Sequence, residues 1–330
     1  MKDFTIQRRC IFIISGGRTA TRFLSELLAV SVKNCHSVQE PDIWRFNYFI
    51  DFNRNKNIFL QKFIDFGLYN MTLGKLLSLG SIRSLSIARQ RGKIDKLEAA
   101  KRLYKLRHNY ISRVKQDIYA EANLQLTGLI DIIPLVFPNS KTIFMIRDGR
   151  NWVRSYINIQ FRRWANVIYS KSDPLYYLPY ARLNAKMFPD DPFFYKWDKF
   201  SVFQRICWLW RSHIEYALKT IKFNPNANII KYENFFEDST KRESLNSFFE
   251  HLTKFPDNYQ AEYQYNGELS GKLFHESTAN RLSKWGNWPL SLVNDFQEIC
   301  GDLLFQQGYG SEPEWKEMVT KAEKKKNNAE

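Results

Sequence analysis

Two short segments hold the residue types that anion chemistry needs. The first is Ser15-Gly16-Gly17-Arg18-Thr19-Ala20-Thr21-Arg22-Phe23-Leu24, between the apolar run Cys10–Ile14 and apolar residues at helical spacing, Phe23, Leu24, Leu27 and Leu28. A glycine turn between a buried strand and a helix start presents unpaired N–H groups and the positive end of the helix dipole. The hydroxyls of Thr19 and Thr21 add donors, and Arg18 and Arg22 add charge. The segment lacks the G-x-x-x-x-G-K-[ST] pattern on which ATP–Mg²⁺ chemistry usually stands. Taken alone it reads two ways, as a phosphate cradle or as a strand–helix connection with solvated arginines. The second segment, Arg147-Asp148-Gly149-Arg150-Asn151-Trp152-Val153-Arg154-Ser155-Tyr156, follows the apolar run Lys141–Ile146. Arg147 at a strand's carboxyl end and Ser155 two turns into a helix can grip a phosphate, because ligands of parallel α/β sheets bind beyond the strands' carboxyl ends. Pairing of Arg147 with Asp148 is the other reading of that segment.

The elements that must position these residues follow from periodicity. Cys10–Ile14 and Lys141–Ile146 read as strands buried on both faces, each leading into a helix, with Asp148 a natural N-cap for the second. A third strand is expected at Asn228–Tyr232, with a helix over Thr240–His251. Strands alternating with helices predict an α/β fold of three layers, α/β/α, around a central parallel sheet. At 330 residues the chain is read as a single domain with two excursions and a frayed charged tail at 321–330. The excursion over 53–116 is helical, basic and amphipathic, either a packing subdomain or a wall of the acceptor site. That over 161–200 is loop-like and rich in aromatics.

Composition narrows the partners. The chain carries 49 Lys and Arg against 34 Asp and Glu, a net charge of +15, and aromatics make up 16%. Such a surplus suits a nucleotide, an acidic glycan, a nucleic acid or a membrane surface. No recognisable nucleic-acid-binding motif accompanies it. Cys10, Cys35, Cys207 and Cys300 lie far apart without metal-ligand spacing. Cys10 and Cys207 stand in apolar runs, as small core residues do. The polar start, with no leader or membrane anchor, and the cysteine pattern predict a cytoplasmic protein without disulfides, for which peripheral membrane contact stays open.

Together the two segments resemble the sulfotransferases that use 3′-phosphoadenosine 5′-phosphosulfate (PAPS). In that family the first loop reads roughly R/K-S/T-G-T-T/K/R-x-L, matched here by Arg18 to Leu24. The second pairs an arginine with a serine eight positions on, as Arg147 and Ser155 do, followed by Tyr156. Further matches are Phe137-Pro138-Asn139-Ser140-Lys141 before the second strand, Tyr232-Glu233-Asn234 after the third, and Cys207-Trp208-Leu209-Trp210. Arg281-Leu282-Ser283-Lys284-Trp285 is a partial match to a basic segment that closes over the nucleotide. The resemblance implies a P-loop NTPase-like sulfotransferase fold with PAPS as donor, PAP as product and no metal. Gly17 to Arg22 would take the 5′-phosphosulfate, Arg147 and Ser155 the 3′-phosphate, and Arg281 and Lys284 would add charge. Ala20 departs from the family's usual glycine, so an ordinary backbone conformation is expected there.

The resemblance also implies a chemistry. Arg18 stands where the family carries a cation at the bridging oxygen, which stabilises charge developing in the transition state. The acceptor hydroxyl or amine must lose a proton, and a base is needed within hydrogen-bond reach. Glycosaminoglycan sulfotransferases place a glutamate about this far beyond the loop; here Glu40 follows Arg18 by 22 positions. Glu40 is the first choice and His36 the second, with Pro41 expected to hold Glu40 extended. Glu121 and Asn123 are further candidates for the acceptor side. The aromatics between Tyr169 and Trp197 could stack on a sugar ring, suiting a carbohydrate or glycolipid acceptor, or could equally be core residues. A nucleotide kinase and a non-enzymatic polyanion binder are the competing readings.

Overall fold

The computed structural model describes residues 4–43, 52–74, 79–160, 182–235, 241–265 and 281–328. They group into two compact units. The first comprises Met1–Met145, Leu178–Ala181 and Tyr216–Phe274; the second comprises Ile146–Tyr177, Arg182–Glu215 and His275–Glu330.

In chain order the elements of the first unit begin with β1 (Arg9–Ser15), α1 (Thr21–Ser31) and β2 (Cys35–Gln39). The basic excursion supplies α2 (Phe52–Phe66), α3 (Leu68–Met71), α4 (Ile82–Gln90) and α5 (Lys96–Ser112). There follow β3 (Ile118–Ala122), α6 (Ile133–Val136) and β4 (Ser140–Ile146), whose last residue crosses into the second unit. The second unit holds α7 (Gly149–Gln160) and most of α8 (Val202–Ile221), which runs through the division. The first unit resumes with β5 (Ala227–Lys231) and α9 (Lys241–Thr253), and the second ends with α10 (Leu290–Gln306) and α11 (Pro313–Asn327).

The strands form a central parallel sheet of order β2-β3-β1-β4-β5. Residue type explains both faces. Ile11 and Ile13 of β1 and Ile118, Ala120 and Ala122 of β3 pack with Leu24, Leu27 and Leu28 of α1 and Leu245, Phe248 and Phe249 of α9. On the opposite face Phe12 meets Phe137, ring centroids 4.9 Å apart. Glu121 points to that face and meets Arg107 of α5. Helices therefore cover both sides, giving three layers. β1 is buried at six of its seven residues, as a strand inside a parallel sheet must be.

Within the sheet β1 and β4 are neighbours, with Ser15 level with Met145. The chain leaves β1 towards β2 at one edge and leaves β4 towards β5 at the other. Their carboxyl ends therefore mark a topological switch point, the position at which open parallel sheets take their ligands.

The excursion over 53–116 is helical as expected, and its helices start where side chains cap them. Ser81 and Ser84 form a capping box at α4. Asp95 accepts the Glu98 N–H at α5, 2.8 Å away. The C-terminal tail departs from expectation. α11 runs to Asn327, because Trp315 and Ala322 anchor it, Glu317 pairs with Lys321 at 2.6 Å, and Lys324, Lys325 and Lys326 suit a helix's negative end. The four cysteines are free, and Cys10 and Cys207 are buried. Of the aromatic excursion, residues 161–181 lie outside the described residues. In the remainder Phe193 and Trp197 are core residues of the second unit, whereas Tyr195 is 84% exposed. Among the described residues no helix is long and apolar enough to cross a membrane.

Candidate active site

The loop after β1 belongs to the first unit and is strained. Gly17, Arg18 and Ala20 have φ of 88°, 57° and 53°. A left-handed backbone costs a non-glycine residue roughly 1–2 kcal/mol, and such strain gathers at ligand clamps. Ala20 thus contradicts the expectation of an ordinary conformation: it is the N-cap of α1 and must turn the chain sharply into the helix. As alanine it offers no side-chain hydrogen bond to the helix start. Local contacts hold the loop's stem: Gly17 N–H donates to Ser15 Oγ (3.0 Å), and Thr127 donates to the Ser15 carbonyl (3.2 Å). Thr19 is 1% exposed and its Oγ1 makes no hydrogen bond among the described residues. A buried hydroxyl without a partner is costly unless a ligand supplies one. Thr21 is buried, Arg18 half-buried, and Arg22 exposed and paired with Glu26 at 2.9 Å.

β2 was not legible as a strand, and it separates the two candidate bases. His36 is level with Tyr119 of β3, which is level with Cys10 of β1, near the amino ends of the strands. Its Nε2 lies 3.2 Å from the Tyr110 hydroxyl and its ring stacks on Tyr119. Burial lowers its pKa, favouring the neutral ring. Glu40 comes directly after β2, at the carboxyl edge, its N–H bonded to the Ala122 carbonyl at 3.1 Å. It is not extended as Pro41 led us to expect. Its φ is +46°, because the chain turns back at once and the Ile43 N–H bonds to the Glu40 carbonyl at 3.1 Å.

The basic excursion fixes this turn from below. Lys62 of α2 donates to the Pro41 carbonyl, and Arg107 of α5 reaches Asp42 at 3.2 Å. Arg107 also makes a bidentate pair with Glu121, both bonds 2.8 Å long. Burial alone would lower the pKa of Arg107; Glu121 and Asp42 reverse this and hold it above its ordinary value. Glu121 further accepts from Tyr119 and from Asn123, each at 2.7 Å. Glu121 and Asn123 thus serve a buried ionic network, in place of the acceptor-side role expected from sequence.

In the second unit, Arg147 is the first residue after β4 and its carbonyl accepts the Trp210 indole N–H at 3.1 Å. Asp148 caps α7 as expected, accepting the Arg150 N–H at 2.8 Å. Its carboxylate is taken by the Arg150 side chain at 2.6 Å, and Glu312 takes the other side of that guanidinium at 2.7 Å. Arg150 also lies over the rings of Trp285 and Trp315. Gly149 is obligatory, since a Cβ there would stand 2.9 Å from the Trp210 ring. Ser155 is half-buried on α7.

One turn beyond Ser155, Asn158 latches the segment at 281–282. Its Oδ1 accepts from Arg281 N and Leu282 N at 3.2 and 2.9 Å, and its Nδ2 donates to the Leu282 carbonyl at 3.1 Å. The backbone of Arg281 is thereby fixed against the helix that carries Ser155, with its side chain exposed. Lys284 precedes the short turn Trp285–Asn287 and is also exposed. Asn158, Arg107 and Lys62 are the positioning residues that the sequence did not mark. Only the isolated charge inside the Ile118–Ala122 run hinted that a buried counter-ion exists.

Among the described residues no group of three or more His, Cys, Asp or Glu could hold a metal ion. No protein-family model and no curated protein matches this chain. Among solved structures, a sulfotransferase domain from the curacin biosynthetic pathway superposes with a TM-score of 0.41 at 13% identity, over 91% of this chain and 98% of that one.

Proposed function

We propose that the chain transfers a sulfuryl group from PAPS to a hydroxyl or amine of a carbohydrate or glycolipid acceptor. The observation that carries this reading is the loop Gly17–Arg22 at the switch point of the sheet. It pairs a helix start that Ala20 does not cap with a half-buried Arg18 and a buried Thr19 hydroxyl that makes no hydrogen bond among the described residues. Those donors fit the phosphosulfate end of the nucleotide, and no Walker lysine is present to favour ATP. Arg147 and Ser155 hold the 3′-phosphate, with Arg281 and Lys284 adding charge. Tyr195 is an exposed aromatic of the 161–200 excursion that a sugar ring could stack on.

In the reaction the sulfur–oxygen bond to the donor phosphate breaks as sulfur bonds to the acceptor oxygen or nitrogen. Negative charge grows on the bridging oxygen, where Arg18 stabilises it. The acceptor's proton passes to Glu40, which is at the carboxyl edge, whereas His36 lies several residues down the strand. Glu40→Gln is therefore expected to bind PAP as the wild type does and to lose about 10²–10⁴ in turnover. Arg18→Ala is expected to weaken both PAP binding and turnover. Calorimetry with PAP and turnover with PAPS and an acceptor check this pair. Wild-type turnover in Glu40→Gln would remove that residue from the base role.

A further inference from the structure

The two units hold their cysteines differently. In the first, Cys10 is on β1 and Cys35 on β2, and β3 runs between them, with Cys10 level with Tyr119 and Cys35 with Ile118. Two strand spacings come to about 9.5 Å, more than the roughly 7 Å between Cα atoms that a disulfide can span. In the second unit Cys207 of α8 and Cys300 of α10 meet. The Cys300 thiol donates to the Cys207 carbonyl at 3.3 Å, and the two side chains hydrogen-bond each other. Cys207 is 0% exposed and Cys300 1%.

Other contacts hold α8 and α10 together around this pair. Gln204 Nε2 donates to Asp295 Oδ1 at 3.0 Å, and the rings of Trp210 and Phe296 have centroids 6.4 Å apart. Sulfurs already in contact must approach to about 2 Å to bond, a movement that side-chain rotation can supply. The same packing limits the chemistry. Burial first, and then the neighbouring Cys300, pushes the Cys207 thiol above its ordinary value. A close-packed interior also gives no room to a bulky disulfide reagent. A small hydroperoxide is the class of oxidant that fits.

We infer that Cys207 and Cys300 form a redox staple, closed by a hydroperoxide, that fastens α8 to α10. One sulfur takes an oxygen atom from hydrogen peroxide, giving a sulfenic acid and one water. The other thiol attacks that sulfur; the S–S bond forms, and the hydroxyl leaves with the thiol's proton as a second water. Two thiols thus lose two electrons and two protons, which the peroxide takes up. Contact with the second thiol favours this closure over further oxidation to sulfinic acid. The staple fastens the support of the second anion segment, because Trp210 of α8 holds the Arg147 carbonyl at 3.1 Å and α10 packs against α7. It rests on the cysteine pair alone and not on the proposed sulfuryl transfer.

The test treats the folded full chain with hydrogen peroxide, alkylates the remaining thiols in denaturant and maps the peptides by mass. The wild type is expected to lose two hydrogens and to give one joined pair of peptides, carrying Cys207 and Cys300, that dithiothreitol separates. Its melting temperature should rise by about 5 °C or more and return on reduction, since the bond closes a loop of 93 residues. Cys207→Ala and Cys300→Ala should each abolish the joined pair. The same treatment in urea, where proximity is lost, should give mixed pairs that include Cys10 and Cys35. Absence of the Cys207–Cys300 pair from the folded chain, the urea mixture appearing in the folded chain, or a bond that lowers the melting temperature would each overturn the proposal.

Discussion

Two helices here begin directly beyond a strand of the same sheet, and their first turns are built oppositely. α7 starts on a completed network: Asp148 caps it, Arg150 is clamped between Asp148 and Glu312, and Gly149 lies flat against Trp210. α1 starts on a strained alanine that gives it no side-chain cap, beside the buried Thr19 hydroxyl, which makes no hydrogen bond among the described residues. A sequence rich in arginine at both places thus conceals different uses of the cation. In the second unit Arg150 is structural, taken up by Asp148 and Glu312. In the first, a left-handed backbone and a buried Thr19 hydroxyl with no hydrogen bond among the described residues stand together, the features that gather at ligand clamps.

That contrast can be broken most severely at Arg150. Arg150→Ala leaves the buried Asp148 carboxylate without its counter-charge, and the expected loss of stability is about 3–5 kcal/mol, read by denaturant unfolding. A loss under about 1 kcal/mol would place Arg150 among the ligand-facing cations instead. A smaller effect is expected from Arg147→Ala or Ser155→Ala, which should weaken PAP binding by about 1.5–3 kcal/mol with little change in unfolding. Unchanged PAP affinity in both variants would take the second segment out of the nucleotide site. The smallest effect belongs to Ala20→Gly. Relief of the left-handed alanine is expected to stabilise the protein by about 1 kcal/mol, while PAP affinity stays within a few-fold. Destabilisation of that variant would show that the methyl group packs usefully and that the turn is not strained.

The legible parts of this molecule were those in which one physical signal dominates. Cys10–Ile14 and Lys141–Ile146 are unbroken apolar runs, and burial on both faces is the only environment that suits them. β2 and β3 read Cys-His-Ser-Val-Gln and Ile-Tyr-Ala-Glu-Ala, which carry no such run. Each is a strand because of its neighbours: Glu121 is tolerated in the interior only through Arg107, which is 14 residues earlier and on a helix. The conformations of Ala20 and Glu40 were misread for a related reason. Local rules favour ordinary and extended backbones there, but the ends of β1 and β2 require sharp turns that tertiary hydrogen bonds hold. Candidate ligand residues could be named from spacing, whereas the residues that aim them, Asn158 and Lys62 among them, carry no local mark.

The Arg107 network also sets an order of events during folding. Its bond to Asp42 closes a loop of 65 residues, and its bonds to Glu121 close one of 14. Contacts of short span form at low entropic cost and long ones must wait for them. Helix α5 and strand β3 can therefore meet early as a local hairpin of helix and strand. The turn carrying Glu40 is captured only when the chain before the excursion returns to that hairpin. By span, the closure that fixes the turn of the proposed base follows the pairing of α5 with β3 and precedes the longer ones that join β1 to β3 and β4.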